Sequence, residues 1–169
     1  MGGVTIRFAL DDLPVVAALD RATMEGKDLF PLMDAIGRVL VNGARERIAV
    51  TNETPDGVAW PKSLRAKEEG TPTLFDSGRL MNSITALPEE RQVTVGSNLI
   101  YAAVHQVGAT IRPVTAKALF FTLANGSAVT AGAVTIPARP YLGISAEEEA
   151  DIGDVTVAFF DDLLSGRPQ

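Results

Sequence analysis

Apolar and polar residues alternate near the start of the chain. Val4, Ile6 and Phe8 stand against Thr5 and Arg7, which predicts a short strand. Asp11-Asp12 then precede Leu13-Pro14-Val15-Val16-Ala17-Ala18-Leu19. A carboxylate there can accept the free N–H groups of a first helical turn, and Pro14 suits that turn. Gly26 interrupts the pattern. A longer helix is predicted from Asp28 to Val50, because Leu29, Leu32, Met33, Ile36, Val39, Leu40, Gly43 and Arg47 recur at spacings of three and four. Gly37 and Gly43 weaken that helix, which implies that they admit a close neighbour.

The stretch from Thr51 to Thr73 has no period. It holds the turn signal Pro55-Asp56-Gly57, then Trp60-Pro61, a charged run and Gly70-Thr71-Pro72, and it reads as an extended loop. Trp60 is the only Trp. It either caps an edge of the core or anchors a neighbouring subunit. Asp76-Ser77-Gly78 precedes a short helix or turn from Arg79 to Ile84. Gln92 to Gly96 alternates as a strand, and Ile100 to Gly108 reads as a helix ended by Gly108. Ala109 to Arg112, Leu119 to Leu123 and Ala128 to Ile136 look like strands, with Asn125-Gly126 as a hairpin turn. Pro137-Ala138-Arg139-Pro140 forces an extended stretch. Ser145 with Glu148 makes a capping box for a last helix lined by Ile152, Val155, Phe159 and Leu163.

Helices around a strand-rich middle give an α+β class. The expected architecture is a small antiparallel sheet or partial barrel. A long helix from the N-terminal half and a C-terminal helix pack on it, with a long loop or hairpin arm. The 169 residues are expected to form one domain, with 51–73 as the extended loop and 165–169 as a frayed tail.

Composition narrows the chemistry. Fifteen Lys+Arg stand against 21 Asp+Glu, a formal net charge of −6. That argues against a protein held mainly by phosphate contacts. The absence of Cys removes disulfides, thiolate metal sites and cysteine nucleophiles together, and a single His leaves one candidate imidazole base. No apolar run is long enough for a membrane span, and no secretory signal is visible, so work in a cytoplasm or a particle built there is expected. Charge is unevenly spread. Between Arg91 and Ala146 there is no Asp or Glu, whereas Glu147, Glu148, Glu149, Asp151, Asp154, Asp161 and Asp162 crowd the last helix. That helix either presents a solvated face, meets a basic surface on another copy, or faces a channel carrying DNA.

No phosphate-binding glycine loop, dinucleotide fingerprint or nucleophile elbow occurs. His105 lies four residues after Tyr101, on the same helical face, and reads best as a structural His. The acid pairs Asp11-Asp12, Glu89-Glu90 and Asp161-Asp162 have no further ligands at metal-site spacing. Arg139, between two prolines, is presented by a stiff backbone. It is either a plain surface Arg or a bidentate contact to another subunit.

Several short stretches then form an ordered set. They are Pro55-Asp56-Gly57-x-x-Trp60, Leu74-x-x-Ser77-Gly78-x-Leu80-x-x-Ser83-Ile84, Val95-Gly96, Tyr101-Ala102-x-x-His105-Gln106-x-Gly108 and Ile136 to Gly143, followed by a final helix. Their order and spacing, over about residues 28–164, resemble the virion morphogenesis or tail-completion proteins of Mu-like and P2-like phages and prophages. The stretch Leu119 to Thr135 departs from that pattern: it is a mostly apolar hairpin where the family often carries a basic, variable segment.

The resemblance implies a non-enzymatic structural role. Such a protein would complete or terminate the tail at the neck so that it can join the head, as a subunit of a ring, often sixfold. Its partners would be its own copies, the tail tube protein and neck or connector proteins, with DNA only as passing cargo and no membrane or cofactor. It would reside in the virion, at the head-proximal tail end or neck, after assembly in the host cytoplasm. Trp60, Tyr101, His105, Gln106 and Arg139 then become packing or inter-subunit positions. Gly57, Gly78, Gly96, Gly108 and Gly143 become turns or close approaches. The loop from Thr51 to Thr73 is expected to reach a neighbouring subunit or to order on assembly. The alternatives are a head-side connector, an assembly factor absent from the particle, and a small hydrolase using His105 with Ser77 or Ser83.

Overall fold

The computed structural model describes residues 3–8, 28–123 and 125–165. The helix expected after Asp11-Asp12 lies outside them, as does the tail beyond Ser165. The fold is α+β. Strands β1 (Val4–Phe8), β2 (Ile84–Pro88) and β3 (Val93–Ser97) form an antiparallel sheet in the order β1–β3–β2, with Val95 facing Ile6 on one side and Ala86 on the other. Strand β2 was not expected. It is five residues long and ends in a proline, so it offers little alternation to read.

Helix α1 (Phe30–Glu46) packs against β2 and β3. Asp28 Oδ1 accepts the Phe30 N–H at 2.9 Å, and Pro31 sits in the first turn, where a missing N–H costs nothing. Leu32, Met33, Ile36, Leu40, Val41 and Ala44 are its buried apolar side chains. Gly37 faces the sheet: a Cβ there would stand 2.8 Å from the Ala86 Cβ. The helix then widens into a π turn, Arg47–Thr51, and stops at Asn52. Asn52 is left-handed (φ 57°), a conformation that Asn tolerates better than most residues.

The stretch from Thr51 to Thr73 is folded onto the body. Glu53 and Ala59 form a β-bridge, and helix α2 (Leu64–Glu69) starts at Ser63, whose Oγ accepts the Ala66 N–H. Arg65 reaches the carbonyls of Pro72 and Phe75, both at 2.9 Å. Trp60, Ala66 and Thr73 are buried. Next come α3 (Arg79–Asn82), and after the sheet strands α4 (Ala102–Val107).

The arm of the fold is a ribbon. Strand β4 (Ala109–Ile111) pairs with β7 (Val134–Ile136), and between them β5 (Leu119–Thr122) pairs with β6 (Ala128–Ala131). The single strand expected over Ala128 to Ile136 is therefore two, because each half has a different partner. The sheets remain separate, and no closed barrel forms among the described residues. No described residue between Val107 and Ala138 is buried.

Helix α5 (Ala146–Ser165) packs on α1. It turns Glu148, Ile152 and Thr156 inward, at a spacing of four, with Val155 and Phe159 partly buried beside them. The core joins α1, the π turn, Trp60, Leu80, the sheet, Ala102, Tyr141, Leu142 and Ile152 in one cluster.

Candidate functional site

The recognisable motifs converge on one segment, Ile136 to Gly143, which crosses the body between the ribbon and α5. Two prolines keep it out of helix and sheet, so its backbone polar groups need other partners. The Arg139 N–H donates to the His105 carbonyl at 2.7 Å. The Trp60 indole N–H donates to the Pro140 carbonyl at 3.2 Å. Gln106 Oε1 accepts the N–H groups of Tyr141 and Leu142, both at 3.0 Å, while its Nε2 donates to the Leu142 carbonyl at 2.9 Å. One buried amide thus stands in for a β-partner. The Tyr141 hydroxyl donates to the Ala102 carbonyl, and the Arg139 Nε donates to the Pro61 carbonyl. Burial, with Tyr101 nearby, pushes the Tyr141 phenol far above its ordinary range. Gly108 (φ 74°) ends α4 against this segment: a Cβ there would lie 2.8 Å from the Ala138 nitrogen.

The segment ends on a buried ion pair. Arg47, at the start of the π turn, gives Nη1 to Glu148 Oε2 (2.9 Å) and Nη2 to Oε1 (3.0 Å). The same guanidinium donates from Nε to the Tyr141 carbonyl and from Nη2 to the Gly143 carbonyl. Glu148 also closes the capping box: its Oε2 accepts the Ser145 N–H at 2.7 Å, and its own N–H donates to Ser145 Oγ. A Cβ on Gly43 would overlap the Glu148 carboxylate where it sits on Arg47, so glycine lets the pair close one turn above Arg47. Asn52 holds the other side, accepting the Trp60 N–H on its carbonyl and the Thr73 N–H on Oδ1.

His105 lies at the edge of this clamp. Its ring meets Tyr101 edge-on, with centroids 6.0 Å apart, and its Nδ1 is buried without a hydrogen-bond partner. Desolvation lowers its pKa below 6.5, and the Arg139 charge lowers it further. A cleft of about 240 Å³ opens beside it, lined also by Asp76, Ser77 and Arg79. No hydrogen bond joins His105 to a serine or carboxylate among the described residues. Ser83 is committed elsewhere, to the Leu80 carbonyl and to Ser97 Oγ at 2.7 Å. Among the described residues no three acidic or imidazole side chains group as metal ligands, and no helix is long and apolar enough to cross a membrane.

The family model described as the phage virion morphogenesis family matches residues 10–161. The chain belongs to that family. It is also 31% identical over 150 residues to the Mu-like prophage FluMu G protein 2 of Haemophilus influenzae, covering 89% of this chain and 91% of that one. No solved structure matches.

In this virion morphogenesis protein the sequence candidates divide by burial. Trp60, Gln106 and Arg139 are buried and bonded within the chain, His105 is half-buried, and Tyr101 is exposed. Gly57, Gly78 and Gly108 have positive φ, Gly96 lies against β1, and Gly143 lies against Pro55. Arg47, Glu148 and Asn52 were not singled out as site residues. A signal existed for the first two: Arg47 continues the apolar stripe of α1, and a charge on a buried stripe needs a partner. The capping-box Glu148 is the one acid of α5 that points inward, whereas Glu147, Glu149, Asp151, Asp154, Asp161 and Asp162 are exposed.

Proposed function

We propose that this chain is a structural subunit that completes the head-proximal end of a phage tail, as one copy in a ring, so that the tail can join the head. The family supports a role in building the virion. The observation that carries the non-enzymatic part is the clamp. Its amide, indole and guanidinium donors, which could otherwise orient a substrate, are spent on the chain's own carbonyls and on Glu148. Such a site ties the segment from Ile136 to Gly143 to α4, to the π turn after α1 and to α5, which gives a ring subunit a rigid interior. The outer surfaces supply unlike patches, an acid-free ribbon and an acidic helix, as a heterologous contact requires.

Electron microscopy of lysates lacking this protein tests the reading. Filled heads and unjoined tails of abnormal end or length are expected, and added protein should restore joining. Normal joined particles without the chain would overturn the proposal.

A further inference from the structure

We propose that the ribbon from Ala109 to Ile136 of one copy docks in the acidic groove beside the N-terminal end of α5 on a second copy. The inference rests on the ring-subunit reading above and names its contact.

The ribbon lacks support of its own. It consists of two successive two-stranded pairs, and such a hairpin is marginal in water by itself. Several of its apolar side chains are uncovered: Val114 is 97% exposed and Phe120 is 76% exposed. One exposed hydrogen bond, from Asn125 Nδ2 to Glu68 Oε1, ties its tip to the body. The charge on the ribbon has a single sign. It carries Arg112 and Lys117, both exposed, and no acid.

The groove is the complement. It has a volume of about 440 Å³ and lies between the end of α1, Glu53 to Pro55, and the first turns of α5. Glu46, Glu53, Glu147 and Asp151 line it, and its single cation, Arg47, already holds Glu148. None of those four carboxylates pairs with a described cation of its own chain. Exposed Val50 and Ile144 are the chain neighbours of the lining residues Thr51 and Ser145. Ribbon and groove share no residue. A contact between them is head-to-tail, the kind from which rings are built when the rotation closes. Opposite charge sets its direction and disfavours ribbon-to-ribbon and groove-to-groove pairing.

Carbodiimide coupling of assembled particles tests the contact, because it joins an amine to a carboxylate that touches it. The covalent oligomers should yield peptides in which Lys117 is joined to Glu46, Glu53, Glu147 or Asp151. Lys117→Arg keeps the charge but removes the amine, so particles should form and those peptides should vanish. Reversing the groove with Glu147→Lys and Asp151→Lys should cut joined particles by about tenfold or more, and adding Arg112→Glu and Lys117→Glu should restore them. Lys117 coupled to carboxylates of this chain outside the groove, to a different protein, or to nothing in particles that contain the chain overturns the inference and leaves the tail-end reading standing. If the particles lack the chain, that reading fails, and coupling of concentrated purified protein then decides the contact by the same peptides.

Discussion

Arg47 and Glu148, 101 residues apart, form a bidentate ion pair that is buried on both sides. It locks the end of α1 to the start of α5 and carries the Tyr141 and Gly143 carbonyls on the same guanidinium. Removing one partner strands the other charge in the interior. Arg47→Met or Glu148→Leu alone should cost about 3–5 kcal/mol, and the double variant should lose less than the sum of the two. Urea unfolding of the three variants measures this. Single losses under about 1 kcal/mol would mean that water reaches the pair.

Gly43→Ala tests the closeness of that junction. Alanine is the better helix former by about 1 kcal/mol. A Cβ overlapping Glu148 Oε1 nevertheless forces the carboxylate away from Arg47. A net loss of about 1–3 kcal/mol is expected in the native background. In a Glu148→Ala background the same change should be neutral or stabilising, as read by thermal denaturation.

Gln106→Met keeps side-chain bulk and removes three hydrogen bonds to Tyr141 and Leu142. Unpaired buried backbone groups should make this cost about 2–4 kcal/mol. Trp60, the only Trp and a core residue, should report the unfolding by a red shift in its emission. A loss within experimental error would show that the segment from Ile136 to Gly143 is held by packing alone.

His105 gives the fold a pH dependence. Its folded pKa lies below the ordinary 6.5, first through burial and then through Arg139. The unfolded chain therefore takes up a proton that the folded chain refuses, and stability falls as pH drops below about 6.5. Tyr101 meets the ring edge-on. Proton NMR of this single His should give a depressed pKa, and His105→Gln should flatten the slope of stability between pH 7 and pH 5. A pKa above 6.5 would contradict the burial described here.

Limited trypsin digestion separates the ribbon from the stretch between Thr51 and Thr73. The free protein should be cut after Lys117 before Lys62 or Lys67, because Trp60, Asn52 and Arg65 tie the latter region to the body. Early cleavage at Lys62 would favour an arm that orders on assembly.

These tests also mark what the sequence could reveal. Helix α1 was visible in its three-four spacing and α5 in Ser145 and Glu148, because both signals are local. The pause at Gly132-Ala133 was not, since the exchange of partners there is set by strand partners far along the chain, as in the pairing of Ala109 with Ile136. Trp60, Gln106 and Arg139 stood out by type and context. Their partners did not, because the carbonyls of Pro140, Leu142 and Pro61 carry no side-chain signature. The folding of Thr51 to Thr73 onto the body was hidden for the same reason: Asn52 and Arg65 bind backbone atoms across a stretch without period.

The proposed role makes this chain a building block of the tail end. Quantitative mass spectrometry of purified particles, counting this chain against the major tail tube protein, tests it most directly. A single ring's worth of copies is the predicted result. Particles that are complete, infectious and free of the chain would contradict it.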